Sequence, residues 1–279
     1  MRFVLSSSAK LNLSLRVTSR RSDGYHDIVS LFLRLPSVET IFLSEAGWQD
    51  SVHVRSLEIE GENIVARALR CARAEGKELP FCDVEIVKTL YPGSGLGAGS
   101  GNGAAVLRWF AGKEDDPAWR RAALNTGADV PFLFSGVSLA LVSGIGEILE
   151  PREPFPLYAV VVFPDWSTGT TNAYGELDLR YGEKYPLDGR SARAEAEELY
   201  QKLRDGERIG LLPNDFAPFL MEKFPDYGKL FEVFDRNGSR AWGITGSGSA
   251  AFALFDENPQ ASEIPWSARI RQIVQVELR

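Results

Sequence analysis

Residues Leu90 to Ala105 read LYPGSGLGAGSGNGAA, six glycines in sixteen positions between an apolar run and an alanine-rich segment. Glycine loses more backbone freedom on ordering than any other residue, so such a density is costly inside a helix or strand. Something here requires bare backbone: a phosphate, a dinucleotide or a tight turn. A lysine-bearing phosphate loop needs Lys followed by Ser or Thr after its last glycine, whereas Gly101–Asn102–Gly103 occupies that place. A dinucleotide fingerprint is met loosely by Gly93, Gly95 and Ala98. Its acidic partner belongs at the end of a strand about 20 residues on, and the acids from Glu114 to Asp116 fall in a helix-breaking loop before Pro117. The remaining reading is an anion cradle. Gly93, Gly95, Gly97, Gly99 and Gly101 alternate, which lets several N–H groups turn toward one anion. Ser94 and Ser100 add hydroxyls, and a helix expected from near Asn102 adds its positive end.

The rest of the chain is organised as an α+β protein. The pattern predicts strands over 2–5, 11–18, 27–35 and 38–43, a helix over Asn63–Ala74 and a strand over Cys82–Leu90. Further strands are expected at Val137–Val142, Tyr158–Phe163, Arg240–Thr245 and Ala250–Phe255. Helices are expected at Ala104–Phe110, Ser191–Arg204, Phe216–Lys223 and Lys229–Phe234, with Ser267–Val276 a helix or a strand. The interleaving argues for α+β, and a Pro- and Glu-rich stretch near 145–157 suggests two units, 1–150 and 151–279.

Composition excludes several classes. With 279 residues, 44% of them hydrophobic, the chain can bury one or two cores. A formal charge of -7 gives no global attraction to nucleic acid or to an anionic membrane. The longest apolar stretch, Leu157–Phe163, is far short of the roughly 20 residues of a membrane span, and Met1–Leu5 is too short for a signal core. Cys71 and Cys82 lie in no metal or redox spacing. A cytoplasmic protein acting on small molecules, with no nucleic-acid or membrane partner, is the expectation.

Four segments carry a resemblance to a known family. PGSGLGAGSGNGAA resembles the second motif of the GHMP kinases, the group of galactokinase, homoserine kinase, mevalonate kinase and phosphomevalonate kinase. TGADVPFLFSG (Thr126–Gly136) and GITGSGSAAFALF (Gly243–Phe255) are similar to its central and third motifs. AKLNLSLRVTSRRSDGYHDIVSLF (Ala9–Phe32) is similar to the opening signature of the branch that phosphorylates a cytidyl diphosphate methylerythritol in isoprenoid precursor synthesis. The resemblance implies a two-lobed fold with the active site in the cleft between lobes, the first lobe holding ATP and the catalytic base, the second the substrate side. It implies ATP as phosphoryl donor, with Mg²⁺ carried by the nucleotide and no dedicated metal ligand. Other GHMP kinases, or a catalytically silent member that binds a nucleotide, are the competing readings.

The resemblance implies a role for each matching residue. Asp129 would accept the hydroxyl proton, with Lys10 beside it. From the residues alone, Asp129 before Val130–Pro131 also suits a helix N-cap, and Lys10 a strand end. ATP would lie along Pro92, Gly93, Ser94, Gly95, Leu96, Gly97, Ala98, Gly99, Ser100, Gly101 and Asn102, with Asn63 and Ile64 at adenine; Asn63 equally suits an N-cap. Tyr25, His26 and Asn12 would form the cytosine pocket, closed by Tyr174, and Gly246 and Ser247 would approach substrate phosphates. Thr170 or Thr168 would line that pocket, and Tyr174 can also be read as an ordinary helix aromatic. Lys10 and Lys88 are the candidate cations. Relatives usually have two serines where this chain has Ser100–Gly101, which implies a changed rate.

Overall fold

The polar run Ser6–Lys10, which the pattern reads as a break, does not end the first strand: β1 runs from Arg2 to Arg20. Ser7 and Lys10 are buried within it, so tertiary pairing overrides the weak strand preference of those residues. Likewise β2 (His26–Glu45) continues through Pro36 and Ser37, where the backbone turns to φ 55 at Ser37. The computed structural model describes residues 1–55, 61–114, 116–182, 184–261 and 269–278. Its contacts gather the chain into two compact units: 1–10, 34–92 and 97–137 in the first, and 11–33, 93–96 and 138–279 in the second. They are discontinuous, and neither is bounded at residue 150, because β1 and β2 each pass from one unit to the other.

In the first unit the second half of β2 pairs antiparallel with β4 (Cys82–Val87), from Thr40 opposite Val87 to Glu45 opposite Cys82. β3 (Ser51–Val54) lies parallel to β4. Alternation along these strands puts Ile41, Leu43, Cys82, Val84 and Ile86 on one face, where they pack with Val65 and Leu69 of α1 (Ile64–Ala74) and Val106 of α2 (Ala98–Ala111). Two further helices, α3 (Pro117–Thr126) and α4 (Val130–Ser135), complete this layer; α1 packs on α2 and α3, and α2 on α4. Cys71 and Cys82 are free thiols.

Helix α2 starts at Ala98, four residues before the expected point, so Gly99, Gly101 and Gly103 lie inside a helix after all. The cost of helical glycine is offset by close packing. A Cβ on Gly101 would stand 1.7 Å from the backbone oxygen of Ser8, and one on Gly103 would meet Ile64 and Ala68 of α1 at 3.5 and 3.6 Å.

In the second unit the first half of β2 pairs with β5 (Leu139–Gly144), and β5 with β6 (Ile148–Pro151). A second sheet is built from β7 (Leu157–Pro164), β8 (Gly210–Leu211), β9 (Ala241–Ile244), β10 (Ala251–Phe255) and β11 (Ile270–Leu278), in the order β11-β7-β10-β9-β8. The apolar run of β7 is buried almost throughout, as expected of a strand flanked on both sides. The segment left open as helix or strand is β11, antiparallel to β7; Ser267 and Ala268 lie outside the described residues. Helices α5 (Thr170–Tyr181), α6 (Gly189–Arg204), α7 (Ala217–Lys223) and α8 (Asp226–Arg236) complete the unit. Among the described residues no helix is long and apolar enough to cross a membrane.

Candidate active site

Asp129 occupies the N-cap position of α4, with Pro131 in the first turn, but its side chain makes no bond to its own helix. The carboxylate is thereby left for other partners. Asp129 Oδ2 lies 4.0 Å from Nζ of Lys10, which β1 delivers almost fully buried, while the Asp129 side chain remains 31% exposed. Burial pushes the Lys10 ammonium below its ordinary 10.5, and the charge of Asp129 pulls it back upward. The same carboxylate faces the start of α2, because a Cβ on Gly97 would come within 2.8 Å of Oδ2. Gly97 is also left-handed, with φ 65, so this position is closed to other residues twice over.

The start of α2 has an open, glycine-rich N-terminus, the kind of geometry that the glycine run led one to expect of an anion site. No side chain caps this helix, and the first N–H used within it is that of Gly101, which donates to Gly97 O at 2.9 Å. The N–H groups of Gly97 to Ser100 are therefore the helix's unclaimed donors, with the positive end of its dipole behind them. Gly101 and Asn102, also expected along the cradle, have neighbours of their own within the fold. Gly101 is buried against Ser8, and the Asn102 amide donates to Oε2 of Glu39 at 2.8 Å. Lys88 is likewise engaged, its Nζ 3.1 Å from the buried carboxylate of Glu39. Asn63 caps α1 through Val65 N at 2.9 Å. Ile64 packs near Gly99 and Gly127, close to the turn that carries Asp129.

Two arginines hold the other end of α4. Arg34 donates to the carbonyls of Phe132, Leu133 and Val137 at 2.9, 2.7 and 3.0 Å, and Arg108 to that of Phe134 at 3.1 Å. These satisfy carbonyls that a helix C-terminus leaves open. Burial and the neighbouring Arg108 lower Arg34 to about 10.

In the second unit, Gly93–Leu96 packs against the third glycine segment. A Cβ on Gly95 would clash with Thr245 O at 2.3 Å, one on Gly246 would meet Gly95 O at 2.8 Å, and Ala250 N donates to Ser94 O. Ser94 and Leu96 are buried. Pro92 and Gly93 are exposed. Asn12 is buried, its amide donating to Ser30 Oγ at 3.0 Å and its N–H to Thr245 Oγ1 at 3.1 Å, which ties β1 to the glycine turn. Asn214 holds the same turn through the carbonyls of Ile244 and Gly246.

His26 opens β2, and the Tyr174 ring of α5 stacks on it at 4.6 Å and 27°. Its Nε2 lies 2.8 Å from Oδ1 of Asp178, which also accepts from Tyr185 OH at 2.6 Å. Partial burial raises Asp178, but the hydrogen bonds from Tyr185 and His26, with the charge of Arg20, outweigh it and hold the carboxyl below its usual range. Tyr25 is 56% exposed on the turn made by Asp23 and Gly24. Of the two threonines, Thr170 meets Ser247 Oγ at 3.2 Å, whereas the Thr168 hydroxyl is buried without a hydrogen-bond partner.

Arg34, Asp178, Tyr185 and Asn214 escaped the sequence reading. Of these, Asp178 had a signal: with Thr170 and Tyr174 it forms a four-residue period, one face of a helix. His53, which lies in none of the motifs, is exposed on β3 beside Ser51. A cavity of about 570 Å³ in the second unit is lined by Arg16, Glu195 and Pro213 among others and by none of the candidate site residues.

Comparison with known proteins agrees with this fold. Residues 193–265 match the family described as GHMP kinases C terminal. A 4-diphosphocytidyl-2-C-methyl-D-erythritol kinase of Nitratidesulfovibrio vulgaris is 34% identical, with 92% of this chain and 91% of that protein covered. One from Chlorobium luteolum is 32% identical over 89% of this chain and 87% of its own. A crystal structure of a 4-(cytidine 5'-diphospho)-2C-methyl-D-erythritol kinase superposes with a TM-score of 0.74 at 27% identity, covering 99% and 98% of the two chains. A mevalonate kinase structure, at 11% identity and TM-score 0.61, shares the fold.

Proposed function

The chain belongs to the 4-diphosphocytidyl-2-C-methyl-D-erythritol kinases, a branch of the GHMP kinases, and from that membership we propose how its residues perform the transfer. The reaction is phosphorylation by ATP of the 2-hydroxyl of 4-diphosphocytidyl-2-C-methyl-D-erythritol, a step of isoprenoid precursor synthesis. One observation carries the assignment of roles: a carboxylate not used to cap its own helix faces both a buried lysine and the uncapped start of α2.

Asp129 accepts the proton of the 2-hydroxyl as that oxygen attacks the γ-phosphorus, and the bond to the β-phosphate breaks with its electron pair leaving on ADP. Lys10 stands beside that carboxylate as its counter-charge and offsets negative charge in the transition state. The N–H groups of Gly97–Ser100 and the Ser100 hydroxyl hold phosphate oxygens, a task for which backbone donors at a helix start suffice. Magnesium is proposed to arrive on the nucleotide, where it would neutralise phosphate charge. His26 and Tyr174 receive the cytosine end.

Asp129→Asn is expected to lower turnover by about 10³-fold or more while nucleotide affinity, read by calorimetry with a non-hydrolysable ATP analogue, stays within a few-fold of wild type. Undiminished turnover would contradict the base assignment.

A further inference from the structure

We propose that Asp178 is a positioning residue that sets base specificity: it fixes His26 as the Nε2–H tautomer, leaving Nδ1 to accept a hydrogen bond from the exocyclic amine of a 4-aminopyrimidine. The base-reading half rests on the functional reading above; the tautomer half does not.

An ionised carboxylate accepts and cannot donate. Two donors converge on Oδ1 of Asp178, His26 Nε2 at 2.8 Å and Tyr185 OH at 2.6 Å, and Arg20 faces Oδ2 at 3.3 Å. Nε2 must therefore carry the proton, and a neutral imidazole then has its lone pair on Nδ1. The ring has little freedom to turn over. Its side chain is 8% exposed, one face stacks on Tyr174, and Tyr185 meets it edge-on at 6.2 Å. Tyr174 and Asp178 are four residues apart on α5, so one helix face supplies both the stacking ring and the carboxylate. The same face begins with Thr170, which contacts Ser247 of the glycine turn.

The consequence is chemical discrimination. Cytosine offers an amine at position 4, whereas uracil offers a carbonyl there. An acceptor at Nδ1 pairs with the first and opposes the second, and a site that leaves a polar group unpaired rejects that ligand strongly.

The chain has two histidines, so long-range ¹⁵N–¹H spectra of the free, histidine-labelled protein resolve the His26 tautomer directly. The expected state at neutral pH is Nε2–H in the wild type, lost in Asp178→Asn, whose amide can donate to Nε2, and retained in Asp178→Glu. In kinetics, Asp178→Asn is expected to raise KM for the cytidyl diphosphate alcohol about tenfold or more, with kcat changed less, and to narrow the preference over the uridyl analogue by a similar factor. Asp178→Glu is expected to recover part of that preference. A wild-type His26 found as Nδ1–H or as imidazolium overturns the proposal, as does an unchanged cytidyl preference in Asp178→Asn. A wild-type chain that turns over no cytidyl substrate overturns the functional reading and with it the base-reading half, while the spectra still decide the Asp178–His26 half.

Discussion

Asp129 stands at the cap position of α4 while its carboxylate turns away from that helix toward Lys10, so one residue serves the fold by its backbone and the chemistry by its side chain. Lys10 then has a measurable signature. Burial lowers its pKa below 10.5 in the folded chain, with Asp129 opposing the shift. Between the folded and unfolded values the unfolded state binds more protons, so this group's contribution to stability rises with pH there; at lower pH both states are protonated and the burial penalty is felt in full. Activity moves the other way, because loss of the ammonium strips Asp129 of its counter-charge. The kcat profile is expected to fall on the alkaline side before pH reaches 10.5, and Lys10→Arg, whose charge persists, is expected to remove that limb at the cost of some rate. Rate measurements across the alkaline range for both proteins check this; coincident alkaline limbs would contradict it.

Helices α2 and α4 are the elements that aim the chemistry, and each is positioned by residues that local patterns do not mark. The glycines of Leu90–Ala105 suggest an anion site from sequence alone, but not which of them would face an anion and which pack against the fold. That division depends on Ser8, far away in sequence, whose carbonyl takes the space a Cβ on Gly101 would need. Gly101, which looked like a lost serine at the phosphates, is a packing glycine in this structure. Gly101→Ser is thus expected to destabilise the protein by about 1–3 kcal/mol, as overpacking does, and not to raise its rate; a thermal unfolding scan with parallel kinetics reads both. For α4 the corresponding residue is Arg34, which binds three carbonyls of its last turn and the residue beyond. Arg34→Met is expected to lower kcat roughly tenfold or more by displacing Asp129, with nucleotide affinity little changed in calorimetry. Sequence patterns could not point to Arg34, since its partners are backbone atoms about a hundred residues away.

For the whole molecule, strand and helix types were largely readable because apolar periodicity reports burial directly. The long continuity of β1 and β2 was not, since Ser6–Lys10 and Pro36–Ser37 look like breaks unless their strand partners are known. The same continuity makes both units discontinuous and divides the glycine run, with Gly93–Leu96 in the second and Gly97 onward in the first. On the proposed reading each unit holds one chemical task. The first would carry phosphoryl transfer at Lys10, Asp129 and the start of α2, and the second would receive a base at His26, Tyr174 and Asp178. If both tasks belong to one reaction, turnover must require both ligands together. The most direct measurement is ADP release by the purified protein with ATP and magnesium, offered 4-diphosphocytidyl-2-C-methyl-D-erythritol, mevalonate or homoserine in separate reactions. The expected result is ADP formed in equal amount to a 2-phosphorylated product with the cytidyl compound alone. Release with mevalonate or homoserine instead, or with none of the three, would contradict it.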